Sequence, residues 1–60
     1  MLKILIADDE QIERRYLKNL LQNHRAMYQI VGEAATGEEV LNLTRRLKPD
    51  IIIMDINMPS

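Results

Sequence analysis

The chain has 60 residues, a formal net charge of −1 and no cysteine. That balance gives no electrostatic footprint for nucleic acid or an anionic membrane, and the missing thiols exclude disulfides and thiolate metal sites. No apolar run approaches the about 20 residues of a membrane span, and Met1-Leu2-Lys3-Ile4 lacks a signal peptide's three-part layout, so a soluble, cytoplasmic protein without a membrane partner is expected.

Leu2 to Ala7 is a short apolar run with one lysine, the pattern of a strand buried on both faces. Asp8 and Asp9 then offer N-cap chemistry for a helix. Ile12, Tyr16, Leu17, Leu20 and Leu21 recur at helical spacing, which predicts a buried apolar face with Glu13, Arg14, Lys18 and Asn19 opposite it. Glu10 and Arg14 are spaced for an i,i+4 pair. The pattern fades at Gln22-Asn23-His24-Arg25, polar and basic groups suited to a helix C-terminus.

Tyr28 to Ala34 reads as a second strand, half-polar and so expected at a sheet edge. Thr36 with Glu39 three residues on matches a capping box. Val40, Leu41, Leu43, Thr44 and Leu47 carry the second helix, whose C-terminal dipole is complemented by Arg45, Arg46 and Lys48. Pro49 disfavours helix at Lys48 and ends it. Asp50 leads into a third, wholly apolar strand, Ile51 to Met54, and Asp55 with Ile56-Asn57-Met58-Pro59 forms a turn.

The order is βαβαβ, and right-handed crossovers make its sheet parallel. If the third strand lies across the first from the second, the helices cover opposite faces and the chain direction switches beside the first strand. Ligands of open α/β sheets bind at such a switch point, outside the carboxyl ends of the strands. Asp8, Asp9 and Asp55 all fall there. Each has a bland reading, as N-cap or turn former, but three carboxylates in one space repel unless a cation or protons intervene. Hard oxygen ligands of this kind suit Mg²⁺, which commonly works beside phosphate.

Taken together, Ile4-Leu5-Ile6-Ala7-Asp8-Asp9-Glu10, then Val31-Gly32-Glu33-Ala34 with Gly37-Glu38-Glu39, then Lys48-Pro49-Asp50 through Asp55-Ile56-Asn57-Met58-Pro59 resemble the first half of the receiver domain of bacterial two-component response regulators. The resemblance implies a three-layer, flavodoxin-like α/β fold, here a truncated βαβαβ unit with strand order 2-1-3. It implies that Asp55 accepts a phosphoryl group from a sensor histidine kinase. Asp8 and Asp9 would hold Mg²⁺, and Asn57 would supply its backbone carbonyl as a further ligand. Residues 1–60 are then expected to be the front half of a longer domain, without the later Ser or Thr and Lys that family members use to sense the phosphoryl group. Ser60 stands where the family often has Gly. The output would be transcriptional, with DNA reached only through a separate domain.

Two other readings compete. An aspartyl-nucleophile phosphatase or phosphotransferase of the haloacid-dehalogenase kind also places an Asp after an apolar strand, but has a second Asp two residues on, where Asn57 stands here. A structural reading makes the chain a half-domain that self-associates through the open edge of its third strand, giving a homodimer. Other features read blandly. His24 is expected to be solvated, and Arg14-Arg15 and Arg45-Arg46 to be exposed basic pairs. The resemblance makes Arg14 or Arg15 a contact for a kinase, because the family's first helix commonly docks its partner. Met54 and Met58 read as packing residues. Gly32 and Gly37 lack the spacing of a nucleotide-binding loop.

Overall fold

The run Leu2–Ala7 does become the central strand, β1, because its flanks can satisfy it from both sides. A computed structural model describes residues 1–24 and 26–55. Its elements are β1 (Leu2–Ala7), α1 (Gln11–Gln22), β2 (Tyr28–Ala34), α2 (Gly37–Leu47) and β3 (Ile51–Met54). The three strands form one parallel sheet in the order β2-β1-β3, as expected. This is the arrangement of a flavodoxin-like receiver fold. Ile4, Leu5, Ile6 and Ala7 are buried, as a strand covered on both faces requires.

The pairing of β1 with β2 contains a bulge. Ile4 pairs with Ile30 but Leu5 pairs with Gly32, so Val31 is the extra residue. The shift decides which face each later side chain takes, because strand side chains alternate. Gly32 and Ala34 join Leu5 and Ala7 on the α2 face, where Val40 and Leu43 complete an apolar cluster. Glu33 instead joins Ile6 on the other face, under α1, and there it meets Arg14 and Lys18. The two helices thus cover opposite faces. Glycine at 32 has a packing reason, since a Cβ there would lie 2.8 Å from Leu47 Cδ1.

α2 follows its local signals closely. Thr36 is the N-cap and its Oγ1 accepts from Glu39 N–H at 3.2 Å. The reciprocal bond differs slightly from a strict capping box, as Glu39 Oε1 accepts from Ala35 N–H, at 2.9 Å, one residue before the cap. Lys48 closes the helix in the left-handed conformation (φ 49°), its N–H donating to Thr44 O, and Pro49 follows. One polar atom on this helix is left over. Among the described residues, Thr44 Oγ1 is buried without a hydrogen-bond partner.

α1 departs from its expected form in three respects. Its N-cap is Glu10, with no side-chain cap bond, so neither Asp8 nor Asp9 caps it. The stripe it turns to the sheet is Arg14, Leu17, Lys18 and Leu21, spaced i, i+3, i+4, i+7. Ile12, Tyr16 and Leu20 are 79%, 63% and 45% exposed. Arg14 pairs with Glu33 of β2 rather than with Glu10. The physical reason is common to the last two findings. Glu33 lies beneath the helix and pairs with both cations, so Arg14 and Lys18 stand on the sheet-facing side beside Leu17 and Leu21.

β3 is pinned at its start by Asp50, which donates its N–H to Lys3 O and accepts from Lys3 N–H through Oδ2, both at 2.8 Å. Its register sets Ala7 beside Met54. Ile51, Ile52 and Met54 are exposed.

Candidate metal centre

That register places the next residue of each strand, Asp8 and Asp55, side by side at the carboxyl edge of the sheet. Asp55 N–H donates to Ala7 O at 3.0 Å, which carries the β1–β3 ladder one residue past Met54. Asp8 N–H donates to Ala34 O, also at 3.0 Å, and extends the other ladder. Carboxylate oxygens of Asp8, Asp9 and Asp55 come within 4.8 Å of one another. The three candidate residues named from the sequence are thus brought together. Asn57, the fourth, lies outside the described residues, as do Met58 and the turn from Ile56 onward.

The donor set fits a hard cation. Two oxygens trans to each other across Mg²⁺ are about 4.2 Å apart, given metal–oxygen distances of about 2.1 Å. Oxygens within 4.8 Å of one another are close enough to share one such ion. Asp8 is the fixed member, only 5% exposed, and its Oδ1 accepts from Glu10 N–H at 2.9 Å in a tight turn before α1. Asp9 is exposed and Asp55 half-buried, so the site opens to solvent on one side.

A fourth carboxyl group belongs to this edge. Glu13, assigned from the sequence to the solvent face of α1, shares a hydrogen bond with Asp8. That bond, followed by the negative charges of Asp8 and Glu10, pushes the Glu13 pKa up to about 7. Asp8 is held below its ordinary value, first by the hydrogen bond with Glu13 and then by the Glu10 N–H. The two neighbouring acids are thus driven apart, Glu13 upward and Asp8 downward. The available sequence signal was positional: an acid in the first turn of the helix that leaves Asp8-Asp9 points back at the strand edge it came from.

Arg14 is the second residue whose place was misread. It is not a solvated surface base: its side chain is 17% exposed, Nε contacts Glu33 Oε1 at 3.3 Å and Nη1 donates to the Asp8 backbone carbonyl. Lys18 Nζ joins Glu33 at 2.9 Å. Lys18 first and Arg14 after it hold the Glu33 carboxyl below its ordinary value. His24 is exposed and stands edge-on to Tyr28, as its bland reading required.

A parallel sheet with helices on opposite faces is a doubly wound α/β arrangement, and its aspartates gather at the switch point where ligands of such sheets bind. Residues 4–60 match the response regulator receiver domain, and the chain belongs to that family. It is 44% identical over its whole length to a protein-glutamate methylesterase/protein-glutamine glutaminase of Syntrophomonas wolfei, of which it covers 17%. It is 41% identical to the response regulator GacA of Pseudomonas aeruginosa, covering 28% of that protein. Over 59 residues it is 42% identical to the transcriptional regulatory protein BtsR of Salmonella typhi, 24% of whose length is spanned. The chain therefore spans between about a sixth and somewhat over a quarter of these relatives. They differ in output, one being named an enzyme and another a transcriptional regulator. No helix among the described residues is long and apolar enough to cross a membrane.

Proposed function

We propose that this chain is the phosphoacceptor half of a receiver module, in which Asp55 takes a phosphoryl group from the phosphohistidine of a sensor histidine kinase. A carboxylate oxygen of Asp55 attacks phosphorus, the phosphorus–nitrogen bond breaks, and the freed imidazole takes up a proton. Asp8, Asp9 and Asp55 would hold Mg²⁺, with the Asn57 backbone carbonyl as a further ligand. When bound, the ion neutralises charge on the transferring phosphoryl oxygens and lets carboxylates approach them. The observation that carries this reading is the convergence of three carboxylates from two strand ends within 4.8 Å, in a chain of the receiver family.

Asp8 is pre-set for its role by backbone bonds on both sides, while Asp55 stands half-exposed where an incoming phosphohistidine can reach it. The chain promotes its own phosphorylation and turns over no external substrate. Residues 1–60 are read as the front half of the module, and the phosphoryl-sensing Ser or Thr and Lys of the family would come from sequence beyond them. The setting is cytoplasmic. The exposed Ile51, Ile52 and Met54 of β3 offer an edge for a second copy. Transcriptional output, favoured by the likeness to GacA and BtsR, would reach DNA only through a separate output domain.

The test is labelling with radioactive acetyl phosphate in Mg²⁺ and in EDTA. Label should appear only with Mg²⁺, and Asp55→Asn should abolish it, because an amide cannot form an acyl phosphate. Label retained by Asp55→Asn would overturn the assignment.

A further inference from the structure

A cation in the first turn of a helix opposes the helix dipole, which favours acids there. Arg14 occupies such a place on α1, largely buried, and two groups hold it: Glu33 on β2 through Nε and the Asp8 carbonyl through Nη1. That carbonyl precedes the first acceptor of α1, since the Arg14 N–H bonds to Glu10 O. The helix ladder therefore does not satisfy it, and the guanidinium does.

The consequence lies in the peptide that the carbonyl belongs to. Because the unit linking Asp8 to Asp9 is planar, holding the direction of its C=O holds the whole unit, restricting ψ of Asp8 and setting the plane from which Asp9 departs. Asp8 is already tied at its N–H to Ala34 O and at Oδ1 by the Glu10 N–H. The turn closed by Asp8 Oδ1 and the Glu10 N–H runs through the Asp8–Asp9 peptide and restrains it from one side. The guanidinium holds the carbonyl from the other, and the plane so held sets how the two side chains are aimed relative to each other.

We propose that Arg14 is a positioning residue for this carboxylate pair: anchored on Glu33, its guanidinium locks the plane of the Asp8–Asp9 peptide and so pre-sets both side chains for the cation. The inference rests on the reading that Asp8 and Asp9 hold Mg²⁺. It has a sign that a purely electrostatic role would reverse. A positive charge beside a cation site repels the cation, so on charge alone removal of Arg14 would tighten Mg²⁺ binding. If Arg14 positions the pair, its removal weakens binding, and lysine does not rescue, because one ammonium group lacks the planar fork that reaches both partners.

The experiment is a Mg²⁺ titration of the full chain followed by amide NMR, comparing wild type with Arg14→Met, Arg14→Lys and Glu33→Gln. Partners that orient metal ligands typically change affinity by about 10- to 100-fold. Arg14→Met and Arg14→Lys should each bind Mg²⁺ about tenfold more weakly. Without metal, their amide shifts should change at Asp8 and Asp9 while those of Leu5 and Ala34 stay put. Unchanged or tighter binding in both variants, or full rescue by lysine, overturns the inference. Should Arg14→Met fail to fold, Arg14→Lys decides, because it keeps the charge and loses only the planar fork, and weakened binding is again expected. A wild-type chain whose Asp8, Asp9 and Asp55 amides ignore Mg²⁺ overturns the metal reading itself, an outcome distinct from wild type binding normally and the variants binding equally well.

Discussion

The two helices of this chain are nearly equal in length but are held by different forces. α2 sits on an apolar face, with Val40 buried against Leu5, Ala7 and Ala34, and both its ends are closed by local devices. α1 has no buried residue and no side-chain cap, and it meets the sheet through Arg14, Lys18 and their shared partner Glu33 as much as through Leu17 and Leu21. The helix that follows the aspartate pair is thus arranged around charge, and the helix away from it around burial. Of the charged groups on α1, Arg14 joins the ion pairs to the aspartate pair, bonding both to Glu33 and to the Asp8 backbone carbonyl.

The contrast is sharpest in truncation of one apolar residue from each helix. Val40→Ala should destabilise the chain by about 2 kcal/mol, from lost burial and a residual cavity. Ile12→Ala should stay within about 0.5 kcal/mol, because Ile12 is largely exposed. Thermal or urea unfolding of both variants measures this, and equal costs would mean that α1 packs through Ile12 after all. The caps give a second contrast. Thr36→Ala should cost about 1 kcal/mol through loss of the bond from Glu39 N–H, while Glu10→Ala, which removes no cap bond, should cost less than half as much. α2 also has one defect to repair. Thr44→Val should stabilise by about 1 kcal/mol, since it replaces a buried hydroxyl without a partner by a methyl group of the same shape.

The α1 side should reveal itself through pH. Glu13 has its folded pKa raised from 4.5 to about 7, so its contribution to stability is fully present below pH 4.5 and is lost as pH rises through 7. Asp8 and Glu33 are lowered, so their contributions are present above their ordinary values of 3.8 and 4.5 and are lost on further acidification. Melting in EDTA should therefore show stability increasing from pH 7 down towards 4.5 and then falling. Glu13→Gln should remove the first slope and leave the second. A variant with the wild-type pH profile would show that Asp8 does not hold the Glu13 carboxyl above its ordinary range.

Much of this arrangement was legible in the sequence. Strand boundaries, the Thr36 cap and the stop at Pro49 follow from local chemistry. The meeting of Asp8, Asp9 and Asp55 also needed the strand order 2-1-3, which the resemblance to receiver domains implied and crossover handedness alone leaves open. α1 was misread because its sheet-facing stripe contains Arg14 and Lys18, which a periodicity rule assigns to solvent. What reverses the assignment is Glu33, nineteen positions from Arg14, and it lies beneath α1 only because of the bulge at Val31. Nothing in Tyr-Gln-Ile-Val-Gly-Glu-Ala marks that bulge locally. In a regular ladder Glu33 would pair with Ala7 and face α2. The N-cap was misplaced for a related reason: Asp8 spends its side chain on the Glu10 N–H and on the acidic cluster, and the helix begins later.

The most direct test of Asp55 as acceptor is to locate the phosphoryl group chemically. The chain is treated with acetyl phosphate and Mg²⁺, reduced with borohydride, which converts an aspartyl phosphate to homoserine, and then sequenced by mass spectrometry. Homoserine at position 55, present with Mg²⁺ and missing in EDTA, is the expected result. Homoserine at Asp8, Asp9 or Glu13 in its place, or equal conversion without metal, would contradict it.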